Sequence, residues 1–185
     1  MEQQAGPHPR VLIFPCPLQG HVNSMLKLAE LHALAGLHVT FLNTHSIQKR
    51  LLLHTDVESR FSAYPCFLFK TISDGLPDDH PRSGDKVSEV VHSMNTIGKS
   101  LLKQMLASDE LGSDCSHSVT CIIADGLFGG FTADVGIELH IPIINFRTIG
   151  AGSFWIYFSI PKVIEAGELP IRGIVIILSF FGIMI

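Results

Sequence analysis

His21 and Asp125 are the two residues whose type and setting suit catalysis. His21 follows a short apolar run, residues 10–15, and the loop Pro15-Cys16-Pro17-Leu18-Gln19-Gly20, at the point where a helix begins. Two prolines and Gly20 make that loop stiff and able to approach a ligand closely. A helix N-terminus disfavours an added positive charge, and the neutral imidazole is the form that accepts a proton. The plainer reading of His21 is a surface residue capping the helix. Asp125 ends the apolar run 119–125, VTCIIAD, and Gly126 follows it. A carboxylate at the end of a buried strand costs desolvation unless it is paired. Its plainer role is the N-cap of the next helix. Side by side, the two would form a base and its orienting carboxylate. The chain has no Gly-x-Ser-x-Gly elbow, so the activated nucleophile need not be a protein serine. A hydroxyl on a substrate suits the same pair.

Whether they meet depends on the elements that carry them. Apolar, β-branched runs predict strands at 10–15, 38–43, 67–72, 119–125 and 141–146. Helical spacing predicts helices at 22–35, 46–53, 86–106, 126–139 and about 153–166. Residues 73–85, SDGLPDDHPRSGD, read as a long surface loop. Strands alternating with helices predict an α/β fold: a Rossmann-like, doubly wound parallel sheet. In the order 3-2-1-4-5, strand one lies beside strand four, and ligands bind outside the carboxyl ends at that switch point. His21 and Asp125 follow those two ends.

Composition narrows the function classes. The chain has 185 residues, with 13 Lys+Arg against 17 Asp+Glu and a net charge of −4. A weakly acidic chain lacks a phosphate-tracking surface, so no nucleic-acid partner is expected. Apolar residues make up 46%, enough for a core. Mean hydropathy is +0.35, and part of the excess sits in residues 174–185, IVIILSFFGIMI. That run is too short to span a bilayer, which needs about 20 residues. The first residues carry no basic segment followed by an apolar one, so no secretory signal is read there. Cys16, Cys66, Cys115 and Cys121 form no CxxC pair, and a reduced, cytoplasmic setting is expected. No dinucleotide-type or P-loop glycine pattern occurs. His80, His92, His117 and His140 lack metal-ligand spacing, so neither metal nor cofactor is expected. Phe128, Phe131, Phe154, Trp155, Tyr157 and Phe158 could line an apolar pocket or fill an ordinary core.

Longer stretches carry a family resemblance. VLIFPCPLQGHVNSMLKLAELHALAGLHVTFLNT resembles the opening of the plant UDP-sugar glycosyltransferases, the inverting, two-lobed family 1 type. FLFKTISDGLPDDHPRSGD resembles that family's acceptor-side loop, and VTCIIADGLFGGFTADVGIELHIPIINFRTIGAGSFWIYFSIPKVIEAGELP resembles its fourth strand through fifth helix. The wording is most like that of the iridoid glucosyltransferases of the deoxyloganetic-acid type. The resemblance implies that His21 is the general base, Asp125 its partner, Gly20 a substrate contact, and Thr148 a contact to the donor sugar. It implies a UDP-sugar, most simply UDP-glucose, as co-substrate. The acceptor would be a small terpenoid, iridoid or phenolic metabolite carrying a hydroxyl or carboxyl group. Arg147 stands where the family often has Trp, and the proline usual shortly after His21 is missing.

The resemblance also sets expectations about extent. Residues 7–173 would be an incomplete N-terminal, acceptor-binding lobe, and 174–185 an aberrant apolar tail. The C-terminal lobe that holds UDP, with its Trp-, His-, Asn-, Ser-, Glu- and Gln-bearing signature, is not present in this sequence. The chain by itself would then be an inactive, truncated enzyme. The alternative is a non-catalytic small-molecule-binding or interaction module.

Overall fold

The computed structural model describes residues 9–108, 111 and 118–168. The segment 174–185 and the ends of the expected 7–173 lobe therefore lie outside the described residues. One sheet holds five strands: β1 (Arg10–Phe14), β2 (His38–Thr44), β3 (Phe67–Ile72), β4 (Val119–Asp125) and β5 (Ile143–Phe146). Every ladder is parallel, and the order is β3-β2-β1-β4-β5. This is the order expected for the doubly wound sheet.

Alternate residues of β1 feed two cores, because successive side chains leave a strand on opposite faces. Val11 and Ile13 pack with Met25 and Ala29 of α1 (Gln19–Leu34), Ile47 of α2 (His45–His54) and Phe61 of α3 (Val57–Phe61). Leu12 and Phe14 join Met94 and Leu102 of α4 (Val87–Ala107) and Phe131 and Val135 of α5 (Gly129–Leu139). With both faces covered, β1 is buried along its whole length, which is why Val11–Phe14 reads as an unbroken apolar run. Helix α4 buries Val90, Met94, Gly98 and Leu102 at four-residue spacing. A Cβ at Gly98 would lie 2.8 Å from the Phe131 ring, so the absent side chain lets α4 close on α5. Phe128 and Phe131 belong to this core, with ring centroids 5.2 and 6.3 Å from that of Phe14.

Several boundaries differ from the sequence reading. Helix α1 starts at Gln19, not residue 22, because its first turn offers no apolar stripe for periodicity to detect. Helix α3 is one short turn and went unpredicted. Two 3₁₀ turns, Gly84–Lys86 and Gly126–Phe128, lead into α4 and α5. β5 starts after Pro142, which has no N–H to give the ladder, although its carbonyl accepts from Ile122 N at 2.9 Å.

The chain divides into two compact units between Phe146 and Arg147. In the second, α6 (Ala151–Glu165) carries Phe154, Trp155, Tyr157 and Phe158, four of the six aromatics that the sequence read as pocket or core. Phe154 and Phe158 meet edge-on at 5.0 Å, and Trp155 is exposed. Among the described residues, no helix is long and apolar enough to cross a membrane.

Candidate functional site

The register of the sheet sets the first part of the site. Phe14, the last residue of β1, lies opposite Ala124 of β4, so Asp125 sits one step on, at the carboxyl edge. The chain turns at Pro15-Cys16-Pro17-Leu18, closed by Leu18 N donating to Cys16 O at 2.7 Å, and enters α1. His21 is the third residue of that helix. Its Nδ1 and Asp125 Oδ2 are 2.7 Å apart, joining residues 104 positions distant in sequence. The cap of α1 is Leu18, with no side-chain cap bond, so the helix-capping reading of His21 does not hold.

Asp125 does both things considered for it. Oδ1 accepts from Leu127 N at 3.0 Å, capping the 3₁₀ turn, while Oδ2 meets the imidazole. The carboxylate is 1% exposed and the imidazole 22%. An ionised carboxylate only accepts, so Nδ1 carries the proton toward it, and the neutral ring has its lone pair at Nε2. Burial of Cys16, and then the nearby Asp125 charge, push its thiol far up, so it is no competing nucleophile.

Gly20 is the second residue of α1, and beyond its own stretch of helix a Cβ there would meet no described residue within 4 Å. Thr148 lies in the second unit, partly exposed, two residues before the Gly150 cap of α6. Among the described residues, no three His, Cys, Asp or Glu side chains group as metal ligands.

Next to the 17–19 turn lies a cavity of about 640 Å³. Pro17, Leu18 and Gln19 form one wall; Ile47, Lys49 and Arg50 of α2 another; His80–Gly84 and Val87–Val90 contribute the rest at Pro81, Arg82, Ser83, Val87 and Val90. A smaller cavity of about 120 Å³ shares Gln19, Ile47 and Arg50 with it.

The loop read as plain surface is in fact latched. Arg82 Nε donates to Asp74 Oδ2 at 2.7 Å and Nη2 to Oδ1 at 2.9 Å. The same guanidinium reaches the carbonyls of Leu76, Pro77 and His80 at 2.8–3.1 Å. Asp74 also accepts from Leu76 N and Ser46 Oγ, and its carbonyl from Ser93 Oγ at 2.6 Å. One node thus ties β3, α2, α4 and the loop. Burial alone would raise the Asp74 carboxyl, but the Arg82 bonds and the Leu76 N–H outweigh it and hold it below its ordinary value. Sequence reasoning missed this pair. The available signal was an arginine eight residues after an aspartate inside a Gly/Pro-rich loop, and Arg82 takes φ 48°, which its sequence does not announce. Arg10 was also read only as a strand start. It is fully buried, and its Nη1 donates to Thr40 Oγ1 at 3.0 Å.

Known proteins resemble the chain throughout this region. A 7-deoxyloganetic acid glucosyltransferase of Catharanthus roseus is 49% identical over 172 residues, 92% of this chain and 36% of that protein. UDP-glycosyltransferase 85A5 of Arabidopsis thaliana is 35% identical over 174 residues, 91% of this chain and 34% of that protein. The solved UDP-glucose:anthocyanidin 3-O-glucosyltransferase in complex with UDP superposes with a TM-score of 0.67 at 26% identity, over 86% of this chain and 34% of that one. Arabidopsis thaliana UGT89C1 complexed with quercetin, at 20% identity and a TM-score of 0.66, shares the fold. No family model matches. The chain spans about a third of the length of the relatives it matches. Five parallel strands in the order 3-2-1-4-5, with this level of identity, settle the kinship: the chain belongs to the plant UDP-glycosyltransferases and corresponds to the N-terminal part of its relatives.

Proposed function

We propose that these residues supply the acceptor side of a glucosyl transfer from UDP-glucose to a small plant metabolite. The observation that carries this reading is the 2.7 Å bond between His21 Nδ1 and Asp125 Oδ2 at the carboxyl edge of β1 and β4. With Nδ1–H given to Asp125, Nε2 takes the proton from an acceptor hydroxyl. The acceptor oxygen then forms a bond to the anomeric carbon, the bond from that carbon to the UDP oxygen breaks, and UDP leaves from the opposite face. Configuration inverts. Asp125 balances the imidazolium that forms, as a carboxylate beside a general base does. Gly20, with open space where a side chain would stand, lets the acceptor approach the start of α1. Thr148 contacts the donor sugar.

In this reading the donor nucleotide is held mainly by the part of the relatives that this chain does not span, and the 185 residues by themselves are expected to leave UDP-glucose unreacted. Positioning accounts for roughly 7–11 kcal/mol of such a barrier and acts only on a bound donor. The acceptor class is an iridoid, another terpenoid or a phenolic, in keeping with relatives named for 7-deoxyloganetic acid and for a myricetin rhamnoside.

A chimera tests the reading. The matching 172 residues of the Catharanthus roseus relative are replaced by those of this chain, and transfer from UDP-glucose to 7-deoxyloganetic acid and to a flavonol is followed. Turnover that disappears in His21→Ala supports the proposal. A folded chimera without turnover, or one indifferent to His21→Ala, overturns it in favour of a non-catalytic binding module.

A further inference from the structure

We propose that the 640 Å³ cavity is an anion-selective subsite, in which Lys49 and Arg50 of α2 hold the carboxylate of an acidic acceptor. The inference rests on the acceptor-side reading above and adds the charge of the acceptor to it.

The charges around the cavity do not cancel. Lys49, Arg50 and Arg82 line it, and no Asp or Glu does. Arg82 is already committed to Asp74 through two hydrogen bonds. His80 accepts from Arg82 N at Nδ1 and faces Glu89 Oε2 through Nε2, the pattern of a neutral, fully engaged imidazole. The carboxylates of the neighbouring loop and helix, Asp78, Asp79, Asp85 and Glu89, lie outside the lining. Asp85 accepts from Ser83 Oγ, and Glu89 takes Lys86 Nζ at 2.6 Å as well as His80. Among the described residues, Lys49 and Arg50 enter no ion pair. They are the excess positive charge of the cavity.

Their positions suit one ligand with two parts. Arg50, Gln19 and Ile47 line both cavities, so they form the wall the two share. A guanidinium binds a carboxylate through two parallel N–H bonds, and a neighbouring ammonium adds charge without that geometry. Leu18, Ile47 and Val90 give an apolar surface for a hydrocarbon body. The volume falls inside the range of about 300–1,000 Å³ typical of small-molecule sites. The Asp74–Arg82 latch keeps the far wall in place and pairs the buried Asp74 carboxylate, which lies outside the lining, with a cation.

Binding to the 185-residue chain decides the matter, with geranic acid and its methyl ester as probes in an NMR shift titration. The acid is expected to bind roughly tenfold more tightly than the ester, an advantage of the size charge-assisted hydrogen bonds supply. That advantage should shrink as salt rises and vanish in Lys49→Gln/Arg50→Gln, while the ester binds the variant as it binds the wild type, which also shows that the variant is folded. Equal binding of acid and ester overturns the charge selectivity and leaves the acceptor reading standing. An acid preference that survives the double variant overturns the assignment to these two residues. Binding of neither probe overturns the subsite and the acceptor reading of this cavity together.

Discussion

Replacing Asp125 by Asn should reverse the proton on the His21 ring while leaving the fold in place. In the wild type, one carboxylate oxygen accepts from Leu127 N at 3.0 Å and the other from His21 Nδ1 at 2.7 Å. Asn has the same shape but one oxygen and one NH₂. If the oxygen stays on Leu127 N, the amide donates to Nδ1, which must then accept, and the ring proton moves to Nε2. The lone pair that would take the acceptor proton is then on the wrong nitrogen. A hydrogen bond to a charged group contributes about 1.5–3 kcal/mol and a neutral one about 1, so Asp125→Asn should cost roughly 1 kcal/mol of stability. Asp125→Ala loses the charged bond and the cap, itself worth about 1 kcal/mol, and should cost about 3 kcal/mol in all. Urea midpoints should rank wild type, Asn, Ala. The decisive assay is the ¹⁵N spectrum of the His21 ring, which distinguishes a protonated from an unprotonated ring nitrogen. The wild type should show Nδ1 protonated at neutral pH and Asp125→Asn should show Nε2 protonated. In the chimera, the same variant should lower kcat by a factor of about 10²–10⁴, the usual contribution of a general base. A wild-type ring protonated on Nε2, or a tautomer unmoved by the substitution, would refute the base-and-orienter reasoning.

Further outcomes follow from other parts of the molecule. Arg82→Ala leaves Asp74, 5% exposed, without its cation and should cost about 3 kcal/mol in chemical denaturation, near the lower end for breaking a buried pair. Because the folded Asp74 carboxyl lies below its ordinary value of 3.8, its contribution is complete above that pH and fades as acid titrates it below; hydrogen exchange in residues 73–86 should accelerate there, and Asp74→Asn should remove that acid dependence. Gly136→Ala would drive a Cβ into Ile143 and within 2.8 Å of Ile141 O and should cost about 1–3 kcal/mol, whereas Gly20→Ala meets nothing and should raise the urea midpoint slightly; a lowered midpoint for the latter would contradict the open space at α1. Cys16, fully buried and with its thiol pushed up by burial and by Asp125, should resist a thiol reagent until the protein unfolds.

Much of the fold could be read from the chain because parallel strands buried on both faces must be apolar at nearly every position. VLIF and VTCIIAD carry that mark, and the alternation with helices implies a doubly wound parallel sheet, for which 3-2-1-4-5 is the order observed. Asp125 was visible as a carboxylate that such a strand cannot leave unpaired, and His21 by its place after the first strand. The family resemblance supplied roles for Gly20 and Thr148 that periodicity does not contain. Tertiary structure alone decided how the carboxylate divides its two oxygens between a backbone cap and the imidazole, since that requires two segments 104 residues apart to meet within 2.7 Å. It alone turned a Gly/Pro-rich loop into a latched wall, because Arg82 needs an uncommon backbone angle and five acceptors gathered from Asp74, Leu76, Pro77 and His80. It alone left Lys49 and Arg50 uncompensated at a cavity. Net charge counts every carboxylate equally, whereas a ligand meets only the groups that the fold turns toward it.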